Sequence, residues 1–120
     1  MAQKMIQMAQ EITGRKKPEE ALSQVLESYL KTRINECEQE ISRFQKKYKM
    51  DFEKFKAKLG KQIPLSYEHE KDYMNWEAAM TEYKFLKSKF KKTQSLWSLI
   101  SSLGKYQRLV NLLIGSGGLR

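Results

Sequence analysis

The sequence predicts an all-α fold: an antiparallel long helical hairpin with a short helix at its corner and flanking terminal helices. Three observations predict it. Apolar side chains recur at steps of three and four residues over two long stretches. No stretch alternates apolar and polar in the manner of a strand. No Gly or internal Pro interrupts residues 18–48. A length of 120 residues allows one domain with a modest core, and 40% apolar with 31% charged residues suits a folded helical chain. We divide it into a weakly helical N-terminal segment (1–17), the helical hairpin domain (18–92), and an apolar C-terminal helix with a flexible end (93–120).

The N-terminal segment places Met5, Met8, Ala9 and Ile12 at helical spacing. Gly14 through Lys17 breaks it, and Pro18 stands where a helix tolerates proline, in the first turn. The first hairpin helix, 18–48, carries Leu26, Leu30, Ile34, Cys37, Ile41, Phe44 and Tyr48; from Leu30 onward the spacing is that of a coiled-coil seam. Asp51 is placed to cap a short corner helix over 51–59, with Met50 and Phe55 as its hydrophobic staple and Gly60 ending it. Ser66 caps the returning helix, about 67–92, whose seam is Tyr73, Trp76, Met80, Tyr83, Leu86 and Phe90. Beyond it, Leu96, Leu99, Ile100, Leu103, Tyr106, Val110 and Leu113 keep helical spacing, and Gly115 to Gly118 reads as the flexible end.

Apolar residues spill past the seam. Leu22, Val25 and Tyr29 do so on the first hairpin helix, and Tyr67, Met74, Ala78 and Phe85 on the second. A stripe wider than one seam needs a second surface to cover it. Either the terminal segments fold back or another chain packs there. The candidate partner-binding residues are therefore Val25, Tyr29, Tyr67, Met74 and Phe85.

Charge is unevenly placed. Residues 1–83 hold 15 Lys/Arg against 14 Asp/Glu, whereas residues 84–120 hold 8 Lys/Arg and no acid, making up the net +9. Such an excess is either a solvated helix end or a basic surface. Lys84, Lys87 and Lys91 share one side of a helix and form the candidate nucleic-acid-binding set; lysine suits point contacts to phosphate, not bidentate reading of bases. The apolar C-terminal helix, with Lys91, Lys92, Lys105 and Arg108 nearby, is expected to dock on the hairpin, with partner binding or peripheral membrane association as alternatives. A membrane is not the expected partner, and with no leader-like apolar region at the N-terminus the expected compartment is cytoplasmic.

Catalysis and metal binding are not expected. One histidine, His69, and one cysteine, Cys37, leave no Ser-His-Asp or Cys-His set, no disulfide and no cysteine-rich metal cluster. Gly clusters only at the C-terminal end, with no strand before it and no helix after it, so no phosphate loop is formed. Glu68, Glu70, Asp72 and Glu77 near His69 resemble ligands, but a binuclear carboxylate site needs two Glu-x-x-His elements. No cofactor is expected. Cys37 lies on the seam, and flanking Glu36 and Glu38 disfavour a thiolate.

The run from Arg33 to Phe44, the corner Lys47-Tyr48-Lys49-Met50-Asp51-Phe52-Glu53-Lys54-Phe55, and the helix start Ser66-Tyr67-Glu68-His69-Glu70-Lys71-Asp72-Tyr73 continuing to Trp76, Glu77 and Ala78 carry a resemblance. Over about residues 20–90 the chain resembles a group of small helical archaeal and cyanobacterial proteins, mostly of unassigned role, some described as antitoxin components of toxin–antitoxin pairs. The resemblance implies a hairpin fold and a toxin as partner. Position 49 is often Gly in that group, where a left-handed turn suits it; here it is Lys49. The expected function is a non-catalytic protein–protein interaction module, antitoxin-like, that binds another protein, itself as a homodimer, or both. Sequence-independent nucleic-acid binding is the alternative.

Overall fold

The computed structural model of the chain describes residues 2–114, with side chains through residue 99. Among the described residues there are four helices and no strand: α1 (Ala2–Thr13), α2 (Pro18–Tyr48), α3 (Phe52–Lys58) and α4 (Tyr67–Ile114). The all-α class and the hairpin follow from these. Contacts divide the chain into two compact units; one is Ser28–Lys89, and the other takes the chain before Ser28 and after Lys89.

The Ser28–Lys89 unit is the hairpin, α2 antiparallel to α4 with α3 across the turn. Its core is aromatic. Phe44, Phe52, Phe55 and Trp76 are buried together, with Ile41, Tyr48, Met50, Tyr73 and Met80 packed around them. Trp76 stacks on Phe44 with ring centroids 5.5 Å apart and meets Phe55 at 5.3 Å and Phe52 edge-on at 5.4 Å. Away from the corner the seam continues through buried Cys37, Ile34 and Leu30 on α2 and Ala79 and Leu86 on α4.

Local chemistry fixes the corner. Asp51 caps α3, its Oδ1 accepting from the Lys54 amide at 2.9 Å, and Met50 packs on the cluster that contains Phe55, as a hydrophobic staple does. Gly60 follows α3 with φ +85°, a conformation that leaves L-residues strained, and its amide bonds the Ile63 carbonyl at 2.7 Å. Ser66 caps α4 through the His69 amide at 3.1 Å. Lys49 takes φ +55°, so the left-handed turn between α2 and α3 is made by a lysine.

The other unit holds α1, the first turns of α2 and the later turns of α4, and among its described residues the buried ones are small: Ala9, Ala21 and Thr93. Gly14, at φ +72°, ends α1 by bonding the Gln10 carbonyl at 2.9 Å. Here the structure differs from the sequence expectation in three places. α1 turns Met5, Met8 and Ile12 outward and puts Ile6, Ala9 and Thr13 inward, a rotation of about one residue, or roughly 100°. Leu26, expected on the seam, is 48% exposed. The strict 4-3 spacing back from Leu30 lands on Glu27 and Ser23, and those half-buried residues hold the line instead.

The third difference is the largest. No helix ends at Lys92; α4 runs 48 residues without a break, so residues 93–114 are not a separate helix. Composition changes there, but no Pro follows Pro64, so every residue of α4 keeps the amide that a helix hydrogen bond needs. Leu96 and Leu99 of this stretch are exposed, and Trp97 is half-buried. The expected flexible end, 115–118, and the side chains of Ile100 through Leu113 lie outside the described residues.

Candidate docking face on α4

α4 is two-faced within the hairpin unit. Trp76, fully buried, marks its inner side. Tyr67 and Phe85 are eighteen residues apart, about five turns at 3.6 residues per turn, and so share one line; Trp76, about two and a half turns from each, lies opposite. Met74, Ala78 and Thr81 fall close to that outer line, and all five are exposed, Tyr67 at 82%, Met74 at 67% and Phe85 at 59%. The hydrophobic seam has been duplicated on the far side of the same helix.

The outer line is shallowly grooved. Met74, Ala78, Thr81 and Phe85, with Glu77 and Glu82, border an open depression of about 530 Å³. Met74 also borders a second one of about 440 Å³ with Tyr67, Glu70, Lys71 and Asn75. Neither is deep enough to enclose a small molecule, which typically has most of its surface buried. Both suit a side chain arriving from another protein surface.

Two polar clusters hold α4 to α2 on either side of the aromatic core. Arg33 grips Glu82 through Nη2 and Glu36 through Nη1 at 2.7 Å, while the Cys37 Sγ donates to the other Glu82 oxygen at 3.6 Å. The Arg33 hydrogen bond holds the Glu82 carboxyl below its ordinary pKa, and the Arg33 guanidinium is raised by Glu82 and then Glu36. Burial, then the Glu82 charge, pushes the Cys37 thiol up; the Glu36 charge adds least. The shift runs in the expected direction, but burial and Glu82 of α4 cause it rather than the flanking Glu36 and Glu38.

At the corner, Lys47 reaches Glu68 at 2.8 Å and Asp72 at 2.6 Å, and the Tyr48 hydroxyl donates to the same Asp72 oxygen. Burial alone would raise the Asp72 carboxyl, but the bonds from Lys47 and Tyr48 outweigh it and hold it low. Burial and Asp72 together push Tyr48 up to about 12. His69 is half-buried at the start of α4, its Nδ1–H donating to the Pro64 carbonyl at 2.6 Å. These are clamps, spent on holding helices together. Among the described residues no group of three His, Cys, Asp or Glu side chains is placed to hold a metal ion. No helix among them is long and apolar enough to cross a membrane.

No family model, curated protein or solved structure matches the chain.

Of the five predicted partner-binding residues, the structure brings Tyr67, Met74 and Phe85 onto the outer line of α4. Tyr29 is exposed on α2 in the same unit. Val25 belongs to the other unit, where it is exposed beside Leu22 and Leu26 on the first turns of α2. Lys84, Lys87 and Lys91 are all exposed on α4; the Lys87 ammonium lies 5.8 Å from the Tyr83 ring centre. The sequence reading did not single out Thr81, which lies with Ala78 on this line. The signal was available as the 7-4-3-4 spacing from Tyr67 through Met74, Ala78 and Thr81 to Phe85.

Proposed function

We propose that the chain is a non-catalytic protein–protein interaction module whose principal docking surface is the outer line of α4: Tyr67, Met74 and Phe85. The observation that carries this reading is the exposure of three large apolar side chains on one line opposite the packed core. Solvating such a line is costly, and covering it with a partner groove recovers the apolar area. Tyr29 and Val25 are further contacts, each on its own unit. The resemblance to antitoxin components adds what such docking achieves. The helix lays its apolar line into a toxin and occludes the toxin's working surface.

Phe85→Asp tests it. Affinity capture from native lysate, after nuclease treatment, should lose the retained protein by a factor of at least about thirty, the loss typical of an aromatic anchor of about 2 kcal/mol or more. Helicity by circular dichroism should stay the same, because Phe85 is outside the core. Equal loss of capture and helicity would make Phe85 a core residue and sink the assignment.

A second reading has one observation in its favour: Lys84, Lys87 and Lys91 are all exposed in the acid-free part of the chain. Sequence-independent nucleic-acid binding through them would weaken steeply with salt and with each Lys→Gln change. Retention of nuclease-sensitive RNA or DNA alone, with no protein, would favour that reading over the first.

A further inference from the structure

We infer that in the isolated protein, before another partner takes it, the outer line of α4 is covered by a second copy of this chain, packed antiparallel on the same line. The inference rests on the docking reading above and names its occupant. It starts from the heptad that the outer line forms in the hairpin unit. Lys71, Ala78 and Phe85 take one core position of the repeat; Tyr67, Met74, Thr81 and Ser88 take the other. All of these are exposed.

In an antiparallel pair each position of the first kind faces one of the second kind. With the two-fold axis between Ala79 and Met80, Phe85 meets Met74 of the second copy and Ala78 meets its Thr81. The axis therefore passes between small side chains, which lets the two helices approach, and the large apolar pair falls symmetrically to either side. This is the self-complementary arrangement that a two-fold interface requires.

The flanking charges choose the direction. On one flank run Glu70, Glu77 and Lys84; on the other run Glu68, Asn75, Glu82 and Lys89. Antiparallel packing pairs like flanks, so Glu77 meets Lys84 of the second copy and Lys84 meets its Glu77, while Glu68 and Glu82 stay bound to Lys47 and Arg33 of their own chain. Parallel packing pairs unlike flanks and sets Glu77 against Glu82 and Lys84 against Lys89. The reciprocal Glu77–Lys84 pair forms in the antiparallel orientation, and the parallel one sets Lys84 against Lys89 instead. The net +9 of the chain does not oppose this. Residues 67–89 hold four acids and four lysines besides Asp72, so this part of α4 is close to neutral.

Sedimentation equilibrium of the full chain is the test, on the wild type and on four variants at exposed positions. Ala78→Arg puts a long charged side chain beside the axis and should raise the dimer Kd by at least about tenfold. Glu77→Lys and Lys84→Glu each turn two symmetric attractions into repulsions and should each weaken the dimer by roughly three- to tenfold. The double variant Glu77→Lys/Lys84→Glu should return to within about twofold of wild type, because the pair is restored with its signs exchanged. Circular dichroism on each sample confirms the fold. A wild-type chain that is monomeric up to about 1 mM overturns the inference, as does a dimer indifferent to Ala78→Arg or a double variant no better than the singles. If the chain is monomeric but Phe85→Asp still abolishes capture of another protein, self-association fails and the docking reading stands.

Discussion

Replacing Lys49 by glycine should make the protein more stable, although it removes a side chain. Lys49 sits at φ +55° between the end of α2 and the cap of α3. An L-residue there brings Cβ against the following carbonyl at a cost of about 1–2 kcal/mol. Glycine escapes that clash but gives the unfolded chain more freedom, which costs about 0.5–1 kcal/mol. The difference is a net gain of about 0.5–1 kcal/mol, or roughly 2–5 °C in Tm for a chain of this size. Lys49 is exposed, so little packing is lost with its side chain. Urea unfolding followed by circular dichroism measures the gain as a higher midpoint with an unchanged slope. Lys49→Ala is the control: it removes the charge and the stem but keeps Cβ, and should stay within about 0.5 kcal/mol of wild type. If alanine stabilises as much as glycine, the relief is electrostatic and the backbone argument fails. If glycine destabilises, the lysine stem holds the corner in a way its exposure conceals.

Two further predictions concern the core and the clamps. Trp76 is fully buried, and its indole Nε1–H meets no acceptor among the surrounding rings. Trp76→Phe should therefore cost only lost volume, about 1–2 kcal/mol, against about 3–5 kcal/mol for Trp76→Ala; equal losses by denaturant titration would show that the N–H has a partner. Stability should also be bounded on both sides of neutral pH. Asp72, Glu68 and Glu82 are held low in the fold, so their contribution is full above the unfolded carboxylate range and falls away as pH drops below about 4. Tyr48, raised to about 12, contributes below the unfolded tyrosine value of about 10 and loses that contribution as pH rises through 12. Thermal melts from pH 3 to pH 11 should show a plateau between about 4 and about 10, with stability falling on either side of it. In Asp72→Asn the acid limb should flatten; an unchanged acid limb would remove Asp72 from the account.

The hairpin was legible in the sequence because its determinants are local. Seam spacing, the Asp51 and Ser66 caps and the Met50–Phe55 staple each act within a few residues, and α2 runs from Pro18 to Tyr48 as its periodicity implies. What could not be read was set by neighbours. Which way α1 turns depends on the surface it meets, and a short helix with apolar residues on adjoining faces leaves that choice to tertiary contact. The continuity of α4 past Lys92 carries no mark in the sequence, because a change of composition there leaves the backbone hydrogen bonding of the helix untouched. The outer line of α4 was half visible: Met74, Ala78 and Phe85 were recognised as surplus to the seam. Their 7-4-3-4 spacing with Tyr67 and Thr81 is present in the sequence; what the structure adds is that all five are exposed. The Arg33–Glu82 clamp lies 49 residues apart in sequence and carries no local mark.

The aromatic corner also bears on how the hairpin comes together. Phe44 and Trp76 are joined by a loop of only 32 residues that already contains α3, and the Arg33–Glu82 pair closes a loop of 49. The loop-entropy difference between them is only about 0.4 kcal/mol, so distance along the chain hardly separates the two in cost. What separates them is reward. The corner returns four buried rings on first closure, whereas the clamp returns a partly solvated ion pair and a thiol. Assembly should accordingly begin at the turn and proceed toward Leu30 and Leu86, each contact shortening the loop left for the next. Slowly exchanging amides should cluster around Trp76 and thin out along both helices away from it.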